Sequence, residues 1–360
     1  MKRGSCVLDL SALRSNYRAF QTLLPAAAEM IAVVKWDCYG LGRKAILKAL
    51  WDEGCRIFFC SRHYDSLDCL EELKEITNDS PDFRIITTLW SVRDLKTFFQ
   101  ELVDSRFVVS LRGEEDLQAA LEFKRKDQFH FVIDLKFPGA IRAGFLPEKI
   151  KEYWAEIKQN LNVMYLSCYA ASSSKPDSSG FKQDLKMMKI YSELFTEAKK
   201  SFSCTSALLM LDHLRLSKIN SYGRLGGGLY GVQQVLTDKL ITKPVVKKLS
   251  VPISYMHTSG TSVSLAAYID QIPGGFDLVR ANGHVFINGK KCKVLGPLQN
   301  RPQRMDIDVS GIEVEVGQEV EIIGENRSLM QYSKEIGMYP YELLTRFKHV
   351  DRSLFRYIGG

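Results

Sequence analysis

The most reactive candidate in the sequence is Lys35, which follows the apolar run Met30–Val34 and opens the segment Lys35–Gly42 (KWDCYGLG). A continuous apolar run is typical of a strand that is buried on both faces, so this lysine lies where a strand opens into a loop. Most lysines are solvated, but burial disfavours the ammonium form, and a neutral amine forms Schiff bases with carbonyl compounds. We therefore expect Lys35 to be a cofactor-binding nucleophile.

Short apolar runs that alternate with amphipathic segments predict the elements that position this lysine. The runs are Ile31–Lys35, Arg56–Cys60, Arg84–Thr88, Phe107–Ser110, Phe129–Asp134 and Val163–Cys168, with two less distinct ones near Ser201–Cys204 and Ile219–Tyr222. Strands that alternate with helices indicate a parallel sheet, and eight of them within about 230 residues fit a (β/α)₈ barrel. In that fold the chemistry lies at the carboxyl ends of the strands, where Lys35 falls. A doubly wound sheet is the alternative.

The pattern changes near Lys243–Val251, where turn signals begin to separate strand-like pieces. These pieces are Ile253–His257, Ser262–Ile269, His284–Ile287, Lys293–Leu295 and Glu319–Ile323, with Asn288–Gly289 as a hairpin turn. We expect a barrel domain over residues 1–240 and a mostly β domain over residues 241–360, which the first ten or so residues join. A last helix near Tyr341–Phe347 is expected to pack on the second domain.

Composition excludes several function classes. The formal charge of +7 is spread along the chain and not gathered with interleaved aromatic residues, so nucleic acid is not an expected partner. The sequence contains no apolar run of membrane-spanning length, so no membrane partner is expected either. The eight cysteines form no CxxC pair and no zinc-like spacing with the histidines, which favours the reducing cytoplasm and no metal site.

The segment KWDCYGLG resembles the KANAYGHG run of the alanine racemases, which are pyridoxal-phosphate enzymes of fold type III. The resemblance spans nearly the whole chain, and it implies pyridoxal 5′-phosphate as the cofactor. It also implies that Lys35 is the Schiff-base lysine and that Tyr39 lies near the cofactor phosphate. Leu41 stands where the family has a histidine.

Two further segments resemble the family's cofactor-binding elements. Arg224–Gly231 (RLGGGLYG) is similar to the RPGIxLYG element that follows the last barrel strand. The resemblance implies that Arg224 faces the pyridine nitrogen and that the N–H groups of Gly226 and Gly227 bind the phosphate, which glycines suit because no side chain blocks close approach. Thr205–Ala207 (TSA) matches the family's NSA step, so the hydroxyl and N–H of Ser206 are expected on the phosphate as well.

The catalytic pair implied by the resemblance is Lys35 with Tyr268. Ala267–Gln271 (AYIDQ) resembles the family's GYADG, in which the tyrosine acts across a dimer interface. Lys35 would then exchange the α-proton on the face that handles the D enantiomer, and Tyr268 of a partner subunit would do so on the L face. The resemblance therefore implies a homodimer with shared active sites.

The expected substrate-binding residues lie in segments that depart from the family pattern. Asp134–Gly144 (DLKFPGAIRAG) needs a three-residue insertion relative to DTGMxRxG before Arg142 matches the substrate-binding arginine. Gly296–Arg304 (GPLQNRPQR) stands where the family has GRVCMDQ, which places Asn300 at the methionine position as a substrate ligand.

Two supporting positions also differ. Val132 stands where many members have a lysine that orients the arginine, and Cys168 or Tyr169 stands where the family has a histidine beside the cofactor ring. The expected function is a racemase that interconverts L- and D-alanine by two-base proton transfer. A racemase of different or broader range, a fold-type-III amino-acid decarboxylase, a D-threonine aldolase-like lyase and an inactive pyridoxal-phosphate-binding relative remain alternatives.

Overall fold

The computed structural model describes residues 4–89, 91–101, 104–137, 143–168, 179–202, 204–214, 216–232, 242–257, 260–296 and 304–360. The first strand, β1 (Ser5–Asp9), belongs to a sheet formed by the end of the chain. The next eight strands form one parallel sheet: β2 (Glu29–Val33), β3 (Ile57–Phe59), β4 (Arg84–Thr88), β5 (Phe107–Leu111), β6 (His130–Leu135), β7 (Val163–Cys168), β8 (Lys200–Ser201) and β9 (Tyr222–Leu225).

The eight strands are arranged around a nearly closed barrel. Their hydrogen-bonded order is β8-β7-β6-β5-β4-β3-β2-β9, and the Ser221 N–H donates to the Lys200 carbonyl oxygen at 2.8 Å where β9 returns to β8. The order follows the chain around the sheet without the reversal that defines a doubly wound fold. The (β/α)₈ prediction is therefore confirmed.

Helices connect the strands of the barrel and cover its outside, and the last three described helices belong to the part of the chain that forms the second sheet. Their bounds are α1 (Leu10–Gln21), α2 (Lys35–Gly40), α3 (Arg43–Asp52), α4 (His63–Thr77), α5 (Val92–Glu101), α6 (Glu114–Glu122), α7 (Pro147–Asn160), α8 (Ser179–Leu194), α9 (Thr205–His213), α10 (Gly275–Arg280), α11 (Leu329–Glu335) and α12 (Pro340–Thr345). Among the residues described, no helix is both long enough and apolar enough to cross a membrane.

A layer of side chains fills the interior of the barrel. Seven barrel strands each contribute one residue to this buried cluster: Ile31, Ile57, Ile86, Val108, Val132, Tyr165 and Tyr222. Side chains two residues further along a strand point to the same face. Val33, Phe59 and Arg224 therefore lie above this layer, towards the carboxyl ends of the strands, and Lys35 continues the series from β2.

The last barrel strand begins three residues later than the sequence pattern predicts. Ser217–Ile219 forms a single 3₁₀ turn, and the Asn220 side chain accepts a hydrogen bond from the Phe202 N–H at 2.6 Å. The strand itself is Tyr222–Leu225. Arg224 consequently lies on the strand, with its side chain in the barrel, and not in the loop that follows.

The second sheet contains β10 (Val246–Met256), β11 (Ser262–Tyr268), β12 (His284–Ile287), β13 (Lys290–Gly296), β14 (Arg304–Asp308), β15 (Glu319–Ile323) and β16 (Phe355–Ile358). Its order is β11-β14-β13-β12-β15-β10-β1-β16, with a further pairing of β11 and β10. Strands β12 and β13 form the predicted hairpin, in which Asn288 and Gly289 both have positive φ. The domain boundary predicted between residues 240 and 241 lies outside the described residues.

Candidate active site

A cavity of about 590 Å³ lies at the carboxyl ends of β2, β3 and β9. This is the face on which barrel enzymes carry their chemistry. Six residues singled out from the sequence line it together, and they are Lys35, Tyr39, Ser206, Arg224, Gly226 and Gly227. The other walls come from the barrel strands, the start of α9 and the segment Tyr339–Glu342.

Lys35 is held at the start of a left-handed turn. The four residues Trp36–Tyr39 have φ between 53° and 58°, although none of them is glycine. This conformation costs an L-residue roughly 1–2 kcal/mol, or about 4–8 kcal/mol for the four. A strained turn persists only where its surroundings determine it, and such strain is typical of functional sites.

The barrel holds this turn through two carboxylates. The Trp36 N–H donates to Asp65 at 3.0 Å, and the Arg43 N–H donates to Asp37 at 2.6 Å. Asp65 also accepts a 2.8 Å hydrogen bond from the Arg43 guanidinium, which is 6 % exposed. These charge-assisted bonds fix the backbone on both sides of the strained residues.

Three aromatic rings surround the Lys35 amine. Its Nζ lies 4.7 Å from the centre of the Trp36 ring, 5.7 Å from that of Tyr39 and 5.3 Å from that of Tyr341. Tyr39 is buried and packs edge-on against Tyr341, with ring centres 5.4 Å apart. The amine is thus half-buried in an apolar setting at the wall of the cavity.

The glycines that follow β9 form an open cradle next to β2, the strand that leads to the lysine. Gly227–Tyr230 is a single 3₁₀ turn, whose first N–H groups have no acceptor within the turn. A methyl group on Gly226 would lie only 3.1 Å from the Tyr39 hydroxyl. Gly226, Gly227 and Tyr39 all line the cavity, and backbone N–H groups of such a turn are suited to an anion.

Tyr230, within the same turn, connects the cradle to the lysine strand. Its hydroxyl donates to the Val33 carbonyl oxygen at 2.8 Å, and the ring packs against Tyr39 with centres 5.0 Å apart. Burial raises the pKa of Tyr230 well above its ordinary value, so the hydroxyl remains a hydrogen-bond donor at neutral pH. The cradle and Lys35 are thereby held in a fixed relation.

Ser206 approaches the cradle from the first turn of α9, a nine-residue helix. The Gly228 N–H donates to the Thr205 hydroxyl at 3.0 Å, which joins the start of α9 to the glycine turn. A helix N-terminus favours negative charge because its first N–H groups are unpaired and the helix dipole is positive there. Both sides of the space are consequently suited to a phosphate group.

Arg224 provides a permanent cation in the wall of the same cavity. It is 7 % exposed, and its guanidinium carbon lies 5.2 Å from the centre of the Phe59 ring. Strand register places Arg224 beside Ile31 on β2, two residues before Val33. A ligand in the cavity would therefore contact a charged donor that does not lose its proton.

Tyr268 is a candidate residue that the structure describes away from this cavity. Tyr268 ends β11 with 47 % of its surface exposed, and it is not among the described residues that line the cavity. Arg142, Asn300 and Tyr169 lie outside the described residues. Cys168 is buried in the hydrophobic core outside the barrel lumen, while Val132 lies within the lumen.

Sequence reasoning did not assign Tyr339, Tyr341 or Glu342 to the site. The helix predicted near Tyr341–Phe347 is observed at Pro340–Thr345, where it packs on α11 as well as on α2. Its aromatic residues close the cavity above Lys35. The sequence signal, two tyrosines around a proline, is weak because tyrosine is a common packing residue.

The cavity fits a flat ring that carries a phosphate at one end and an aldehyde at the other. Its volume lies within the range of about 300–1,000 Å³ for small-molecule sites. The glycine cradle, the Tyr39 hydroxyl and the first turn of α9 offer donors for the phosphate. Lys35 offers an amine for the aldehyde, so the residues present fit pyridoxal 5′-phosphate.

The chain matches both family models that describe the alanine racemases. The model "Alanine racemase, N-terminal domain" matches residues 8–234, and "Alanine racemase, C-terminal domain" matches residues 252–354. The chain belongs to the alanine racemase family.

Named relatives resemble the chain over nearly their whole length. The alanine racemase of Rickettsia canadensis is 24% identical over 96% of this chain and 97% of its own length, and that of Rickettsia africae is 25% identical over 98% of each. The crystal structure of the Bartonella henselae alanine racemase with covalently bound pyridoxal phosphate superposes with a TM-score of 0.83. That structure is 21% identical and covers 99% of this chain and 100% of that one.

Proposed function

We propose that this member of the family is a pyridoxal-phosphate-dependent racemase that interconverts L- and D-alanine. The observation that carries the proposal is the convergence of a strand-end lysine and a phosphate cradle on one cavity at the carboxyl face of the barrel. The relatives that match the chain end to end are named alanine racemases, and one of their structures holds pyridoxal phosphate.

Six residues would hold the cofactor. Lys35 would bind the aldehyde carbon, while Tyr39, Ser206, Gly226 and Gly227 would donate hydrogen bonds to the phosphate. Arg224 would face the ring nitrogen, where a permanent cation disfavours a second positive charge. When bound, the cofactor withdraws electrons from the substrate and makes its α-proton acidic.

Two groups of the protein would move that proton. The Lys35 amine lies at the wall of the cavity and can take or return a proton on one face of the substrate. The second face needs another acid-base group, and we assign it to Tyr268, whose phenol is a suitable proton donor and acceptor. Arg142 and Asn300 are proposed to bind the substrate carboxylate.

The position of Tyr268 supports a homodimer. Within one chain its side chain is exposed and is not among the described residues that line the cavity holding Lys35. A symmetric dimer can bring the Tyr268 of one subunit to the cavity of the other. Each active site would then contain residues of both subunits.

The test is α-hydrogen exchange in D₂O, followed by proton NMR with chiral analysis of a panel of L-amino acids. Exchange of L-alanine together with appearance of D-alanine is the expected result. Release of CO₂ would instead indicate a decarboxylase, and cleavage to an aldehyde would indicate a lyase. Bound cofactor with no reaction of any amino acid would indicate an inactive relative.

Lys35→Ala should lose the visible absorbance of bound cofactor and all exchange, whereas Lys44→Ala should keep both. Lys44 is a suitable control because it is exposed and pairs with Glu75 at 2.6 Å. Normal cofactor absorbance in Lys35→Ala would overturn the assignment of the nucleophile.

Mixed dimers test the shared site. Lys35→Ala and Tyr268→Phe should each be inactive, but subunit exchange between them should restore about a quarter of the wild-type activity, because half of the dimers then contain one intact site. No recovery despite exchange would exclude a site shared in this way.

We also propose a reducing, cytoplasmic location. None of the eight cysteines forms a disulfide, and seven of them are buried. Buried free thiols are typical of proteins that are not exposed to oxidising conditions.

A further inference from the structure

Arg352, near the end of the chain, contacts the segment that carries Lys35. Its Nη1 donates to the Gly40 carbonyl oxygen at 2.6 Å, and its Nη2 pairs with the Asp37 carboxylate. Asp37 is one of the four left-handed residues, and Gly40 follows them directly. One guanidinium therefore bonds both the middle and the end of the strained turn.

Tyr357 makes a second contact just beyond this one. Its hydroxyl donates to the Leu41 carbonyl oxygen at 2.9 Å. Burial raises the pKa of Tyr357 to about 12, so the hydroxyl keeps its proton at neutral pH. Gly42 has φ +88°, and a methyl group there would lie 2.0 Å from the Tyr357 oxygen, so the close approach depends on glycine.

Tyr357 is anchored on the second sheet, and Arg352 lies in the 3₁₀ turn Arg352–Leu354 directly before the same strand. Tyr357 lies on β16, which pairs in parallel with β1, and Leu8 is the register partner of Tyr357. The chain end is tied down further where Arg14 donates to the Gly359 carbonyl oxygen at 2.5 Å. The end of the chain is thus held in place while it makes hydrogen bonds to the turn.

We propose that Arg352 and Tyr357 are positioning residues, which hold the turn Trp36–Gly40 in its left-handed conformation and thereby set the position of Lys35. The inference deepens the proposed function and rests on Lys35 being the nucleophile. Asp65 and Arg43 hold the turn from the barrel side, so it is fixed between the two parts of the chain.

The turn has no local reason to be left-handed. Tryptophan, aspartate, cysteine and tyrosine all favour the right-handed region. Removing Arg352 deletes the bond to the Gly40 carbonyl and leaves the Asp37 carboxylate without this partner. The turn would then populate relaxed conformations in which the lysine no longer faces the cradle.

The experiment mixes full-length apoprotein with pyridoxal 5′-phosphate. Visible absorbance then gives the rate at which the protein captures the cofactor. Arg352→Ala should slow capture by about tenfold to a hundredfold, since each of two lost hydrogen bonds contributes on the order of tenfold in an equilibrium constant. Arg352→Lys can keep one contact and should recover part of the rate. Tyr357→Phe deletes only the hydroxyl and should slow capture by about three- to tenfold.

Arg280→Ala is the matched control, because Arg280 is an exposed arginine of the second part of the chain whose ion pair is with Asp277. It should capture cofactor at the wild-type rate. Millimolar methylguanidinium should restore capture to Arg352→Ala and leave the control unchanged. If Arg352→Ala failed only because its fold was damaged, methylguanidinium would not restore cofactor capture.

The outcomes separate this inference from the proposed function. If the wild-type chain captures cofactor and racemises alanine while folded Arg352→Ala and Tyr357→Phe capture it equally fast, the positioning role is wrong. If Arg352→Ala does not fold, Tyr357→Phe decides the question, because loss of one hydroxyl leaves the ring packing intact. If the wild-type chain itself captures no cofactor, the proposed function fails instead.

Discussion

Replacing Gly226 with alanine should weaken cofactor binding through the phosphate alone. The added methyl group would lie 3.1 Å from the Tyr39 hydroxyl, inside the space that the cradle offers to a phosphate oxygen. An oxygen that accepts from this hydroxyl must lie about 2.7 Å from it, and the methyl group competes for that position. The φ of Gly226 is −109°, outside the left-handed region.

The expected loss of binding follows from the hydrogen bond to the phosphate that the methyl group would displace. One hydrogen bond to a charged group contributes about 1.5–3 kcal/mol, so its loss should weaken binding of pyridoxal 5′-phosphate by about 10- to 150-fold. Pyridoxal, which lacks the phosphate, supplies the internal control, because Gly226→Ala should bind it as the wild type does.

The assay is an absorbance titration of wild-type and Gly226→Ala protein with each of the two compounds. The preference for the phosphorylated compound should shrink in the variant, while the melting temperature stays close to that of the wild type. Gly113→Ala serves as the substitution control, because a methyl group at Gly113 meets no atom within 4 Å. An unchanged preference in folded Gly226→Ala would refute the assignment of the glycine turn to the phosphate.

Two further predictions concern the thiols. Cys204 is the one cysteine of the chain that is not buried, and it lines the cavity, so a thiol reagent at pH 8 should label it first and bound cofactor should protect it; peptide mass spectrometry that finds another cysteine labelled first would contradict this. Burial raises the pKa of Cys55 from 9.0 to about 11, so its contribution to stability is complete below about pH 9 and is lost as the pH rises through 11. Denaturant unfolding should show that this group lowers the free energy of unfolding by about 2 kcal/mol by pH 10.5, and Cys55→Ala should lack this loss. If the free energy of unfolding changes equally with pH in the two proteins, Cys55 does not have this effect.

Most barrel strands could be predicted because they are buried on both faces and therefore apolar throughout. Val163–Cys168 and Arg84–Thr88 are observed at the predicted bounds. The last strand could not be placed in this way, because it contains Gly223 and Arg224. Gly223 has no room for a side chain, since a methyl group there would lie 2.5 Å from Leu24. Arg224 is buried in the lumen although its side chain is charged, so an apolar pattern does not reveal it.

The candidate site could be predicted only where its residues lie close together in short motifs. Lys35 with Tyr39, and Arg224 with Gly226 and Gly227, fall within two such motifs, and the structure places all of them on one cavity. Tyr341 lies about 300 residues further along the chain, and nothing local to it indicates the lysine it covers. Contacts of this kind depend on the folded arrangement of the two sheets.

The left-handed turn is the feature that local sequence predicts least. A right-handed turn would satisfy the preferences of Trp36, Asp37, Cys38 and Tyr39, and the observed turn opposes them by roughly 4–8 kcal/mol. The opposing free energy must come from tertiary contacts, since isolated short turns are marginal even with favourable residues. Those contacts are hydrogen bonds and packing from both parts of the chain.

Lys35 is therefore supported from two directions. The barrel contributes Asp65 and Arg43 on one side, while the end of the chain contributes Arg352, Tyr357 and the ring of Tyr341 on the other. The barrel residues and the residues of the chain end contact different parts of the turn, so each group alone leaves part of it unsupported. Because the bonds from β16 depend on its pairing with β1, the first and last strands of the chain must both be in place before Lys35 reaches its position. This dependence gives a physical reason why the position of Lys35, which lies on the barrel, requires the second sheet.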